Sequence, residues 1–421
     1  MTHAMYRKFI LNNGLRVVTE SIPTLRSVTV GIWVNVGSRD ERPGEEGLSH
    51  FLEHMFFKGT RSRTARQISH EMDALGGEMN AFTGRETTTF YVKVLDQHLE
   101  SALALLADLF HGSRFPTHEL NKEKQVVLEE IRTVQDDPED LLQDLHTEQV
   151  LKHHPLGRPI LGKPETVAAL RRSDLVRYVG THYDPRHTIV AVAGNFKERP
   201  LTRLLERVFH PFRTTTAQRG SRLPPRVSGG VFVRQKQLEQ VHLCMGLQGV
   251  GASDVNRYAA HVLNTVLGGS VSSRLFQEVR EKRGLAYSIY SYLSTYSDAG
   301  TLTIYAGTRD REAGRVVEVV CRQLRRMQRE GITRQELTLA KNHLKGSLML
   351  GLESSHGRMS KLAKDELYLG QPMSLSEIVA HIDAVSPEQV YQLSRRLFDD
   401  RFRSVTALGP VSERTISTAI H

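Results

Sequence analysis

Residues 240–251, QVHLCMGLQGVG, followed by NRYAAHVLNTVLGG at 256–269, decide the fold, because they repeat a pattern the chain has already used. An alternating, largely apolar strand leads through a short loop to a helix that ends on glycine. The first half has the same succession in SVTVGIWVNVGS at 27–38 and GLSHFLEHMFFKGT at 47–60. Outward from this pair the correspondence continues. YSIYSYLSTYSDAGTLTIYAG at 287–307 follows EMNAFTGRETTTFYVKVL at 78–95 as two strands joined by a turn. DREAGRVVEVVCRQLRRMQ at 310–328 follows DQHLESALALLADLF at 96–110 as an amphipathic helix. ITRQELTLAKNHLKGSL at 332–348 aligns with PTHELNKEKQVVLEEI at 116–131 through Glu336-Leu337 and Glu119-Leu120. The tails, SPEQVYQLSRRLF with RSVTALGP and SDLVRYVGTHY with HTIVAVAGNF, close both copies. The chain therefore predicts an α+β fold of two homologous domains, each an antiparallel sheet packed with several helices. Residues 1–210 form the first domain and 231–421 the second. HPFRTTTAQRGSRLPPRVSGG, rich in Pro, Gly, Ser, Thr and Arg, makes 211–230 the expected linker.

Size and composition agree with two domains. The 421 residues exceed what one core usually serves, and 39% hydrophobic with 24% charged residues describe a globular chain. No apolar run approaches the ~20 residues that span a bilayer, and the N-terminus shows neither a signal-peptide core nor an import leader. Only two cysteines occur, so a disulfide framework is not expected and a cytoplasmic location is. The net charge of +9 raises nucleic acid as a partner, but its densest stretch, RQLRRMQREG at 322–331, reads as the solvated face of a helix.

The chemistry sits in the first copy. His50-Phe51-Leu52-Glu53-His54 places two histidines four apart and a glutamate three after the first, on one helical face. Two imidazoles can hold one metal ion while the carboxylate addresses a water beside it. A third ligand must come from another element. Glu123 and Glu130, seven apart, share a face of the helix expected from Thr117 to about 135. With the motif in place, Glu130 is favoured as the ligand and Glu123 as a group that orients the site. The repeat supplies a control. Pairing Gly59 with Gly268 sets His50, Glu53 and His54 opposite Ala259, Val262 and Leu263, and pairing Glu119 with Glu336 sets Glu123 and Glu130 opposite Ala340 and Ser347. The scaffold does not require the polar set, so another reason must keep it in the first copy.

On HFLEH at 50–54, the Glu-x6-Glu pair ending in VVLEEI, GGEMNAFTGRETTTFY at 76–91 and SSRLFQEVREKRGLAYS at 272–288, the chain resembles the M16 family of zinc peptidases. Specifically, it resembles the half-length bacterial members close to the β subunit of the mitochondrial processing peptidase. The resemblance covers both halves and the zinc motif shows no departure. It implies a LuxS/MPP-like metallohydrolase fold and one Zn2+ per chain on His50, His54 and Glu130. Glu53 is implied as general base and Glu123 as the orienting group. Asn80 and Ala81 are implied on a sheet edge to which a peptide adds as a strand, with Arg280 and Tyr287 reaching the substrate from the second domain. Gly268-Gly269-Ser270 stands where the α subunit has a long glycine-rich loop; here it is short. The implied function is hydrolysis of extended or unstructured peptides in a closed chamber by a homodimer, without nucleic-acid or membrane partners. An inactive scaffold subunit of the same fold, and a basic nucleic-acid-binding protein, are the competing readings. Manganese or cobalt also suits a His2Glu site.

Overall fold

The computed structural model describes residues 5–215 and 220–420. Four of the expected linker residues, 216–219, lie outside them.

In chain order, β1 (Met5–Ile10) and β2 (Arg16–Ser21) form a hairpin whose Gly14 has φ 87°. Asn12-Asn13-Gly14 supplies this turn because glycine enters the left-handed region without a Cβ penalty. β3 (Ser27–Val34), α1 (Leu48–Phe56) and α2 (Ala65–Leu75) follow. Thr64 caps α2 by accepting from the Gln67 N–H, and the Gln67 side chain accepts from the Thr64 N–H in return. β4 (Glu78–Thr83) and β5 (Thr88–Leu95) form a second hairpin. Then come α3 (Leu99–Gly112), α4 (Thr117–Asp136), α5 (Pro138–Val150), α6 (Pro164–Ala169), α7 (Arg172–His182), β6 (Thr188–Gly194) and α8 (Glu198–Phe209).

The second half repeats the set as β7 (Gly230–Arg234), β8 (Val241–Gln248), α9 (Arg257–Leu267), β9 (Ala286–Thr295) and β10 (Gly300–Thr308). It continues with α10 (Ala313–Glu330), α11 (Arg334–Gly351), α12 (Ser355–Leu369), α13 (Leu375–Ala384), α14 (Pro387–Leu397), β11 (Ser404–Leu408) and α15 (Glu413–Ile420).

The sheets have the same plan. The first runs β1-β2-β6-β3-β5-β4 and the second β7-β11-β8-β10-β9, which is the first without β1. Each is mixed: β2 with β6, and β7 with β11, pair in parallel, and the remaining neighbours are antiparallel. The parallel pair joins a strand near the start of each copy, β2 or β7, to the closing strand, β6 or β11. Such a pairing connects chain ends far apart in sequence, so local patterning carries no sign of it.

Packing divides the chain into two compact units that do not follow its order. The first unit takes residues up to 132, 159–222 and 350–373; the second takes 133–158, 223–349 and 374 onward. Helix α12 therefore packs on the first sheet, and α5 on the second. Met359, Leu362 and Ala363 bury against Val18, Trp33, Ile189 and Ala191. The Trp33 indole N–H lies 3.3 Å from Met359 Sδ, and Gly31 leaves room for this sulfur, since a Cβ there would stand 2.5 Å from it. In the second unit Leu141 and Leu142 bury against Cys244, Tyr305 and Leu408, and His146 Nδ1 meets Thr406 Oγ1 at 3.0 Å. This exchange explains why β6 and β10 are buried at every position: each sheet is covered on both faces, by its own copy's helices and by one helix encoded in the other.

No helix among the described residues is long and apolar enough to cross a membrane. Both cysteines, Cys244 and Cys321, are buried and unpaired with each other.

Candidate metal centre

Helix α1 has apolar and polar faces set by its spacing. Leu48, Phe51, Leu52, Met55 and Phe56 are buried in the first unit's core, and His50, Glu53 and His54 stand on the remaining face, half-buried. His50 Nε2 and His54 Nε2 are 3.3 Å apart. The Glu130 carboxylate on α4 comes within 3.7 Å of the first and 3.6 Å of the second. Among the described residues, His50, His54 and Glu130 are the one group whose donor atoms lie close enough, within 4.8 Å, to share an ion. Tetrahedral coordination at the ~2.0–2.1 Å typical of zinc–imidazole bonds needs donors roughly 3.3 Å apart; the two imidazoles have that spacing and Glu130 lies within half an ångström of it.

The surroundings favour a cation here. His54 Nδ1 is 2.9 Å from Glu123 Oε1, an arrangement that keeps the proton on Nδ1 and turns the Nε2 lone pair toward the cluster. Lys58 Nζ, at 2.7 Å, takes the other Glu123 oxygen. Burial raises the Glu123 pKa, but the bonds from His54 and Lys58 outweigh it and hold the group below the ordinary range, so it stays ionised. His50 is pushed down to about 4 by burial and by the neighbouring His54, leaving a neutral imidazole at physiological pH. Burial also pulls His54 down, yet Glu123 and Glu130 reverse the balance and raise it. Glu123 and Glu130 thus place negative charge beside His54, while His50 offers a neutral ring nitrogen.

Glu53 does not point into a salt bridge. Its Oε2 accepts a 2.6 Å hydrogen bond from Thr83 Oγ1 at the end of β4. Burial raises its pKa, against the pull of Thr83 and His54. A carboxylate made more basic by burial, with one oxygen held in place, suits proton transfer from the other.

Asn80 and Ala81 lie on the same strand β4, opposite Tyr91 and Phe90 of β5, and among the described residues β4 is the edge of its sheet. Arg280 and Tyr287 belong to the second unit, where the guanidinium carbon sits 5.0 Å from the centre of the Tyr287 ring and 4.8 Å from that of Phe276. Tyr287 is largely exposed. The structure thus groups His50, Glu53, His54, Glu123 and Glu130 in one cluster, carries Asn80 and Ala81 on the strand that holds Glu53, and pairs Arg280 with Tyr287.

Two contributors escaped the sequence reading: Thr83 and Lys58. Thr83 sits in EMNAFTGRE and reads as an ordinary strand residue. Lys58 follows the motif helix by two residues, and its spacing to Glu123 is visible only in the fold.

The family profile described as insulinase, peptidase family M16, matches residues 16–164, and the profile described as the peptidase M16 inactive domain matches 169–344. The chain belongs to peptidase family M16. The uncharacterized zinc protease YmxG of Bacillus subtilis is 44% identical over 398 residues, spanning 94% of this M16 chain and 97% of that relative. An uncharacterized zinc protease of Streptomyces coelicolor is 41% identical over 418 residues, with 98% and 91% spanned. The crystal structure of a protease from Helicobacter pylori superimposes with a TM-score of 0.89 at 23% identity, covering 97% of this chain and all of that one. At that identity the likeness concerns the fold. The full-length match to half-length relatives agrees with a chain that holds both copies of the M16 domain.

Proposed function

We propose that this M16 protein is a zinc-dependent endopeptidase acting on extended or unstructured peptides. The observation that carries the reading is the convergence of His50 Nε2, His54 Nε2 and the Glu130 carboxylate beside Glu53. Its relatives' names as zinc proteases point the same way. His50, His54 and Glu130 would hold one zinc per chain, with Glu123 fixing the His54 tautomer. When bound, zinc supplies Lewis acidity to the water and to the scissile carbonyl.

The remaining work falls to side chains. Glu53 takes a proton from the attacking water with its free oxygen while Thr83 holds the other. As the water oxygen bonds to the carbonyl carbon and the C–N bond breaks, Glu53 returns that proton to the leaving amine nitrogen. β4, an open sheet edge at Asn80 and Ala81, receives the substrate backbone as an added strand, which explains a preference for extended peptides. Arg280 and Tyr287 are proposed as substrate contacts from the second unit, Tyr287 through its hydroxyl and Arg280 by holding the ring. A cytoplasmic homodimer that encloses two such sites in a chamber completes the proposal. The 1–210 and 231–421 copies, joined by 211–230, serve respectively as catalytic and substrate-contacting domains.

Glu53→Gln tests the assignment. At full zinc loading, cleavage of a quenched-fluorescence peptide library should fall by about 10²–10⁴-fold, with zinc content unchanged. Wild-type turnover by this variant would remove Glu53 from the proton-transfer role.

A further inference from the structure

The segment GSRDERPGEEG at 37–47, polar enough to read as a solvated loop, is partly core. Ser38, Arg39 and Glu41 are buried, Glu41 at 3% exposure. Three consecutive residues each anchor a different part of the first unit. Arg39 makes a 2.6 Å ion pair with Glu86, both side chains only 2% exposed, in the loop between β4 and β5. Its backbone N–H donates to the Arg85 carbonyl at 2.8 Å, and the Ser38 N–H to the Gly84 carbonyl at 3.3 Å. Gly37 permits this approach, since a Cβ there would lie 2.3 Å from the Gly84 oxygen. Asp40 takes Arg222 at 2.6 Å. Glu41 turns to the start of α1, where Oε2 accepts from the Gly47 N–H at 3.0 Å and Oε1 from the Ser49 N–H at 2.7 Å.

That last contact fills a gap in the motif helix. α1 begins at Leu48, and the residue in the capping position before it, Gly47, has φ 94° and no side chain to cap the helix. The first N–H groups of a helix have no partner within it, and buried donors without partners cost free energy. Glu41, six residues upstream, does the capping from outside. Its carboxylate holds the N–H of Ser49, the residue immediately before His50.

We propose that Glu41 is a positioning residue for the metal centre, bracing α1 against the β4–β5 hairpin through the Arg39–Glu86 pair. The proposal rests on the zinc-site reading above. The hairpin carries Thr83, which holds Glu53, and α1 carries His50, Glu53 and His54. The brace thus fixes in one register the two elements whose relative position sets the Thr83–Glu53 hydrogen bond. A helix shift of a few tenths of an ångström alters both the donor spacing at the cluster and the grip on Glu53. A cap that only stabilised the helix would affect neither in the folded protein.

The test uses the full chain loaded with cobalt in place of zinc, whose visible absorption reports ligand geometry. Glu41→Ala, which leaves both N–H groups without their acceptor, should shift the cobalt bands and weaken zinc binding by about 10–100-fold. Glu41→Gln, keeping one acceptor oxygen, should lie between Ala and wild type. Its kcat at saturating zinc should fall while KM stays near the wild-type value. Glu20→Gln serves as the structural control, because Glu20 is a buried acid on β2 paired with Arg358 of α12. That variant should lower the melting temperature without changing the cobalt spectrum. If Glu41→Ala does not fold, Glu41→Gln and Glu86→Gln provide the same comparison from the two ends of the brace. Wild-type spectra and zinc affinity in folded Glu41 variants, whatever their melting temperatures, would overturn the proposal. Failure of the wild-type protein to bind cobalt or zinc would instead overturn the metal-site reading, and the brace with it.

Discussion

Helices α1 and α9 occupy the same place in two copies of one fold and solve it differently. In α9, Ala259, Val262 and Leu263 are all buried in the second unit's core. In α1 the equivalent positions are His50, Glu53 and His54, half-buried and directed at one another, at Glu130 and at Thr83. On α11, Ala340 is buried and Ser347 exposed where α4 has Glu123 and Glu130. The second unit shows what this scaffold does when only packing is asked of it. The first gives up that apolar contact for five groups that the fold does not need, and two of the carboxylates have burial working against their charge. Polar groups retained at such positions mark function more firmly than a motif alone.

Exchanging the residues of one pair would break the comparison most sharply. Leu263→His places an imidazole at a site 1% exposed, with Ala340 and Ser347 at the positions where α4 has its two carboxylates. It should cost about 2–5 kcal/mol, from lost packing and an unpaired buried polar group, and add no zinc. A fall in the melting temperature of the second unit's transition, with zinc content unchanged, is the expected result. The reverse change, His54→Leu, should remove zinc while leaving the metal-free protein at least as stable as the metal-free wild type.

The second unit also carries a pH-sensitive group of its own. His146, on the exchanged helix α5, is 2% exposed in the second unit, and burial pushes its pKa from 6.5 down to about 3. The unfolded chain takes up this proton below 6.5 and the folded one does not. The second unit is therefore expected to lose stability as pH falls from 6.5 toward 3, by up to ~1.4 kcal/mol per pH unit from this group, with no contribution above that window. Melting curves of His146→Gln should show a shallower acid limb than wild type.

The duplicated fold was legible because its signals are local: strand alternation, helix spacing and glycine stops recur in the same order in both halves. The motif was legible for the same reason, since positions 50, 53 and 54 share a face whatever surrounds the helix. Glu123 and Glu130 required only the period of α4. What escaped depends on contacts distant in sequence. Nothing in PEDLLQDLHTEQV or SHGRMSKLAKDELYL states that each helix covers the other copy's sheet; that follows from which apolar face meets which, as Met359 meets Gly31. The charged segment 39–46 carries no local sign of its burial, because Arg39 is paired 47 residues away, with Glu86, and Glu41 accepts from backbone N–H groups. Helix α8 opens with Glu198-Arg199-Pro200, where proline in the first turn is tolerated, so the proline does not mark a break there.

The central claim is that one copy of the repeat holds a metal and the other does not. Native mass spectrometry of the zinc-loaded protein, with His54→Leu beside it, tests this most directly. One zinc per chain in the wild type and none in the variant is the expected result. Two zincs per chain, none in the wild type, or one retained by His54→Leu would contradict it.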